Sequence, residues 1–154
     1  MGVKRGVSSM NVDLLIVAGS FSLLAAGLHV GIVLVGPSWF RLFGAGESMA
    51  LMAENGSLKP TLITLGIAVV LLIWSAYAWS GAGLLPSMPF TKVALSAITA
   101  IYLVRGLGGL VAPFVTDHYQ IQQNSLAFWL WSSAICLVIA LVHLLGLMAV
   151  WQTL

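Results

Sequence analysis

Four long apolar runs, separated by shorter stretches that contain the polar residues, glycines and prolines, dominate the pattern along the chain. They cover residues 14–35, 61–79, 93–111 and 126–150. Each run has about the 20 residues that an α-helix needs to cross the hydrocarbon core of a bilayer. None shows the alternation of a membrane β-strand, and a helix satisfies its own backbone hydrogen bonds inside a bilayer. The pattern therefore predicts an all-α integral membrane protein, a bundle of four transmembrane helices.

The ends of the last three runs carry signals for helix termini. Pro60 suits the first turn of the second helix, and Pro113 is expected to end the third. Asn124 and Ser125 precede the fourth run as candidate N-caps. At 154 residues the chain is one domain by the usual prior, and four spans of about 20 residues each consume just over half of it. We therefore expect residues 1–154 to form a single membrane domain.

The first run follows Lys4 and Arg5, as the apolar region of a secretory signal peptide also does. The apolar region of a signal peptide has roughly 7 to 15 residues. Residues 14–35 continue well past that length before Pro37 interrupts them. We therefore expect this run to be kept as a membrane span.

The longest connection, about residues 38–56, is not an ordinary polar loop. Its stretch from Glu47 to Glu54 has the pattern of a short helix, and Gly56 is placed to end it. Apolar side chains at helical spacing share one face of this helix: Met49, Met52 and Ala53. Glu47 and Glu54 share another face. The pattern indicates an amphipathic helix at the membrane interface; the alternative is a lid over a cavity in the bundle, with one glutamate turned inward.

Composition argues against a soluble domain, a nucleic-acid-binding protein and a protein built on disulfides or a cysteine-rich zinc site. Of the 154 residues, 60% are apolar and 6% are charged, whereas a soluble domain has roughly 25% charged residues. The six lysines and arginines are dispersed along the chain, so no basic surface for nucleic acid is expected. Cys136 is the single cysteine, which excludes an intrachain disulfide and a cysteine-rich zinc site.

The distribution of lysine and arginine predicts the orientation. Lys4, Arg5 and Lys92 flank the spans on one side, and Arg41 and Lys59 flank them on the other. Because short cytoplasmic segments carry the excess of positive charge, we expect both termini in the cytoplasm. The predicted location is the plasma (inner) membrane.

Arg105 is the one charged residue within a predicted span. A cation in the bilayer costs at least about 2.5 to 3.5 kcal/mol, so it should face the bundle and be paired. His29 lies at a similar depth, on a helix face of small residues. We therefore predict a polar cluster of Arg105 and His29 with Glu47 or Glu54; Asp117 and His118 are alternative partners.

A second polar stripe lies on the fourth predicted helix, where Ser132, Cys136 and His143 follow one another at helical spacing. The ordinary interpretation of both intramembrane histidines is a neutral ring hydrogen-bonded to a neighbouring helix. A haem between His29 and His143 is disfavoured, because helical rise separates them by roughly 14 Å in depth. No metal-binding motif is present, and no cofactor is predicted.

No catalytic or nucleotide-binding motif is recognisable. The cluster of Gly106, Gly108 and Gly109 follows no strand, so its expected role is helix packing. The first hypothesis is a non-catalytic accessory protein, or a bundle that binds a lipid or small molecule, with a protein partner or a second copy in the bilayer. The alternatives are an enzyme that uses histidine and glutamate for acid–base chemistry on an apolar substrate, or a small transporter or channel subunit.

Overall fold

The computed structural model describes the backbone of residues 3–154 and the side chains of residues 13–119 and 121–154. The side chains of Lys4 and Arg5, which entered the orientation argument, lie outside the described residues. The regular secondary structure of the described residues is entirely helical, with loops between the helices. The helices are α1 Val3–Val35, α2 Pro37–Leu42, α3 Glu47–Glu54, α4 Lys59–Gly81, α5 Thr91–Val115, α6 Tyr119–Gln122 and α7 Leu126–Val150. Four of them, α1 from Asp13 onwards, α4, α5 and α7, are long and apolar enough to span a membrane. The prediction of an all-helical fold with four such helices is confirmed.

The helix ends agree with the predicted signals except at Pro113. Pro60 occupies the first turn of α4, and the Ser125 hydroxyl caps α7 by accepting a hydrogen bond from Phe128 N at 3.1 Å. The prediction that Pro113 ends the third span was wrong, since α5 continues to Val115. The backbone hydrogen bond from Thr116 N to Ala112 O, at 3.2 Å, closes this last turn. Pro113 has no N–H to donate to Gly109 O, so α5 continues past the proline with one backbone hydrogen bond missing.

The four long helices form one bundle. α1 packs along both α4 and α7, α5 packs along α7, and α4 meets α5 along a smaller interface. Small residues bring α1 close to its neighbours: Ala18, Ser22 and Ala26 are completely or almost completely buried. Gly146 of α7 lies against Leu15. Small residues that allow such close packing are typical of contacts between membrane helices.

The two ends of the bundle differ. The terminal end, as we call it, carries the start of the span Asp13–Val35, the end of α7 and the α4–α5 loop. Ser80 closes that loop: its Oγ donates to Pro86 O at 2.9 Å and accepts from Met88 N at 3.0 Å. The opposite end carries α2 and α3 and is called the capped end.

Residues 37–54, here called the cap, are folded onto the capped end. Phe40 and Ala50 are buried with Ile32 of α1 in a small apolar cluster. Asn124 Nδ2 donates to Gly44 O at 3.1 Å, which ties the cap to the segment before α7. The predicted helix Glu47–Glu54 is present with the expected bounds, whereas the helix Pro37–Leu42 was not predicted.

Candidate functional site

Both glutamates of the predicted cluster lie on the surface of the cap. Arg41 of α2 binds Glu47 through two hydrogen bonds of 2.8 Å and binds Glu54 through a third of 2.8 Å. The side chains of Glu47 and Glu54 are 53% and 44% exposed. The predicted grouping of these glutamates with Arg105 is therefore not formed, and neither glutamate is turned inward as the lid alternative required.

The ion pair between Arg41 and Glu47 shifts the pKa of both residues. The hydrogen bonds from Arg41 hold the pKa of Glu47 below its ordinary value. The same contacts to Glu47 and Glu54 raise the pKa of Arg41. Arg41 of α2 therefore holds α3 through Glu47 while the Glu47 carboxylate is ionised.

Acidification should loosen this contact. A carboxylate whose pKa is lowered by folding stabilises the folded state above its ordinary pKa of about 4.3, and that stabilisation is lost as the pH falls through the lowered value. We expect hydrogen exchange of the α3 amides, corrected for the intrinsic pH dependence, to increase below about pH 4. In Arg41→Gln the exchange should already be raised at neutral pH and should change less on acidification. Equal pH profiles for the two proteins would contradict the assignment.

Arg105 lies between α5 and α7 and is half-buried. Its Nη1 donates to Ser133 Oγ at 3.4 Å and its Nη2 to Ser132 Oγ at 3.3 Å. The guanidinium lies 5.0 Å from the centre of the Trp129 ring, whose indole Nε1 is held by Ile121 O at 3.0 Å. Among the described side chains, Arg105 forms no ion pair with a carboxylate. Its charge is surrounded by hydroxyls and an aromatic face.

Gly109 makes room for this arrangement. A Cβ atom at Gly109 would overlap Ser133 Oγ and Arg105 Nη1. At Gly108, in contrast, a Cβ would meet nothing within 4 Å. The expected packing role of the glycine cluster thus belongs to Gly106, where a Cβ would overlap Leu137 of α7, and to Gly109, which lets α5 approach α7 at the level of the guanidinium.

His29 lies at the same depth as the Arg105 guanidinium. Ser132 and Ser133, which accept from the guanidinium, mark its depth. By helical rise, these serines and His29 are each about 8 Å from the mid-plane of the bundle, the level of the helix centres, towards the capped end. The half-buried His29 ring hydrogen-bonds through Nδ1 to Ala25 O at 2.7 Å, on its own helix. No hydrogen bond joins His29 to Arg105 among the described interactions. Of the four residues in the predicted cluster, these two alone share a depth within the bundle.

The second predicted stripe faces the interior. His143 is fully buried, and Ser132 and Cys136 are half-buried. The neighbouring Ser133, which the sequence argument passed over, is also fully buried. His143 bonds through Nδ1 to Ile139 O at 3.0 Å. Both histidines thus bond to a carbonyl of their own helix, and the expectation of a bond to a neighbouring helix was wrong.

Tyr102 of α5 was missed by the sequence argument. Its ring lies 5.3 Å from the ring of His143 and 5.1 Å from that of Trp74. Its hydroxyl lies 3.1 Å from Ser22 Oγ, within hydrogen-bonding distance. A phenol near the middle of a span was the available signal, because a buried Tyr hydroxyl needs a polar partner. In the described part of the chain, no three His, Cys, Asp or Glu side chains converge as a metal site would require.

Comparison with known proteins found no match: no protein family, no curated protein and no solved structure is significantly similar to the chain. The functional argument therefore depends on the side chains themselves. Of these, Arg105 is a charged group well inside a candidate span, and no described carboxylate pairs with it.

Proposed function

We propose that the protein is a non-catalytic membrane protein that binds an amphipathic ligand with an acidic group, a carboxylate or a phosphate. Arg105 is the residue that would bind the acid. The observation that carries the proposal is the environment of its guanidinium, which has two serine hydroxyls and one indole face as partners and no carboxylate among the described residues.

The physical argument concerns charge. A guanidinium carries more N–H donors than the two long hydrogen bonds to Ser132 and Ser133 use. Hydroxyls do not neutralise a charge, and an arginine at the centre of a membrane helix costs about 2.5 to 3.5 kcal/mol on insertion scales. An acidic group on a ligand would both fill the remaining donors and neutralise the charge, with the short hydrogen bonds typical of such pairs. Since Arg105 is only half-buried, a ligand can reach it from the bilayer.

The alternatives have less support. An acid–base enzyme would need a carboxylate beside His29, and the two glutamates considered for that role are bound to Arg41 on the cap. A transporter would need a path between His29 and His143, yet the layer between them contains Ser22 and Ala26, which are 0% and 1% exposed. In the proposed orientation both termini are cytoplasmic and Arg105 lies in the outer leaflet of the plasma (inner) membrane. A protein partner or a second copy stays a prediction from the sequence.

The test is ligand binding by purified variants. Native mass spectrometry in mild detergent should detect a bound adduct on the wild-type protein, and titration with oleate and with phosphatidic acid distinguishes a carboxylate from a phosphate ligand. Arg105→Gln should lower the affinity for the preferred acid about tenfold or more, since a hydrogen bond to a charged group contributes about 1.5 to 3 kcal/mol. Arg105→Lys should keep part of the affinity.

Arg41→Gln is the matched control, because Arg41 already has two carboxylate partners. It should bind the acid as the wild-type protein does. Equal affinity of Arg105→Gln and wild type, or equal binding of zwitterionic phosphatidylcholine, would overturn the proposal.

A further inference from the structure

His143 presents an unused hydrogen-bond acceptor in the interior of the bundle. Its Nδ1 bonds to the carbonyl of Ile139 at 3.0 Å, and a carbonyl only accepts, so Nδ1 carries the hydrogen and Nε2 has a free lone pair. The side chain is 0% exposed. No described group is within hydrogen-bonding distance of Nε2. An unsatisfied buried group of this kind costs about 1 to 3 kcal/mol.

Ser75 of α4 presents an unused hydroxyl. The usual bond for a serine or threonine inside a helix is to the carbonyl four residues earlier, as Ser20, Ser96 and Thr99 show here. Ser75 departs from this pattern: it is 2% exposed and its Oγ has no partner among the described residues. Its O–H is therefore free to donate to something other than its own helix.

The two unused groups lie at one level. α4 and α7 both run from the capped end to the terminal end, and Ser75 and His143 lie the same number of residues past the middle of Lys59–Gly81 and Leu126–Val150. With about 1.5 Å of rise per residue, both are about 7 Å from the mid-plane towards the terminal end. The two helices also contact each other across the bundle.

We propose that Ser75 and His143 together bind one hydroxyl-bearing guest, either an internal water molecule or the hydroxyl group of a bound amphiphile. The O–H of the guest donates to His143 Nε2, and its oxygen accepts from Ser75 Oγ. Two polar partners are the minimum that an ordered internal water has. The site is independent of Arg105, which lies in the opposite half of the bundle.

Nuclear magnetic resonance of ¹⁵N-histidine-labelled protein in lipid nanodiscs tests the site without a mutation. We expect the Nδ1–H tautomer of His143, with Nε2 showing the shift of a hydrogen-bonded nitrogen. A cross-peak from Nε2 to water protons that persists after delipidation identifies a water molecule. A bonded shift that is lost on delipidation and restored by the extracted lipid identifies a ligand hydroxyl. An unbonded Nε2 in both preparations overturns the proposal.

A double-mutant cycle tests whether Ser75 shares the guest. Combined with His143→Phe, Ser75→Ala should give a midpoint of thermal unfolding that differs from the sum of the single effects by about 3 °C. Ser96→Ala is the matched control, since its hydroxyl bonds to Lys92 O at 2.8 Å, and its effect should add to that of His143→Phe. Additive effects in both pairs would show that Ser75 and His143 do not share a guest, and would overturn the proposal.

Discussion

Gly44→Ala should release the cap from the bundle. Gly44 has a φ of +83°, and a Cβ there would overlap the ring of Phe128. The left-handed backbone costs an alanine about 1 kcal/mol and the overlap costs about 1 to 3 kcal/mol more. Trypsin should report the release by cutting after Arg41, which the ion pairs hold in the folded cap. Lys59 precedes Pro60, a bond that trypsin leaves intact. Cleavage after Lys4, Arg5, Lys92 or Arg105 gives fragments of other masses, so mass spectrometry identifies the product of cleavage after Arg41.

Gly56→Ala separates the cost of the left-handed backbone from the cost of the overlap with Phe128. Gly56 has a φ of +74°, but a Cβ there would meet nothing within 4 Å, so this variant carries the backbone cost alone. Cleavage after Arg41 should be clearly slower in Gly56→Ala than in Gly44→Ala. In a Phe128→Ala background the two variants should become similar. Equal cleavage rates in the native background would mean that the Phe128 contact does not hold the cap.

The four long helices were predictable because each contains an apolar run about as long as a bilayer-spanning helix. Hydropathy alone places α7 at 126–150, and the glycines around the cap correctly bound the helix Glu47–Glu54. Pro113 was misjudged for a local reason. Pro113 removes one backbone hydrogen bond, yet α5 continues for two more residues and ends with the bond from Thr116 N to Ala112 O. A sequence pattern does not show how far the helix will continue.

The partners of the polar residues were less predictable, because they depend on how separate elements meet. Arg41, not Arg105, pairs with the glutamates because α2 folds back against α3. Hydropathy gave no sign of α2, a single short turn of helix with aromatic side chains. Likewise, the lack of a hydrogen-bond partner at Ser75 Oγ and at His143 Nε2 emerges only when the neighbouring helices are in place. The inward face of His143 was predictable from spacing; its partners were not.

Gly109→Ala should disturb the Arg105 site and the bundle together. The added methyl group would overlap both Ser133 Oγ and the Arg105 guanidinium, so α5 and α7 must separate or the arginine must move. Overpacking of a buried contact costs about 1 to 3 kcal/mol, which corresponds to a fall of about 6 °C in the midpoint of thermal unfolding. The affinity for an acidic amphiphile should fall as well, because the guanidinium would lose its position beside Ser132 and Ser133.

Gly108→Ala is the matched control for Gly109→Ala, because it makes the same substitution at the preceding residue of the same helix. A methyl group at Gly108 would enter open space, and alanine is the better helix former by about 0.5 to 1 kcal/mol. This variant should therefore match or slightly exceed the wild-type midpoint and bind the acid normally. A Gly109→Ala protein that unfolds at a lower temperature yet keeps full affinity would separate helix packing from ligand binding. That result would argue that Arg105 contributes to helix packing and not to binding of the acid. Loss of both properties at Gly109, with neither lost at Gly108, is the result expected if the guanidinium binds the acid from its place between the two helices.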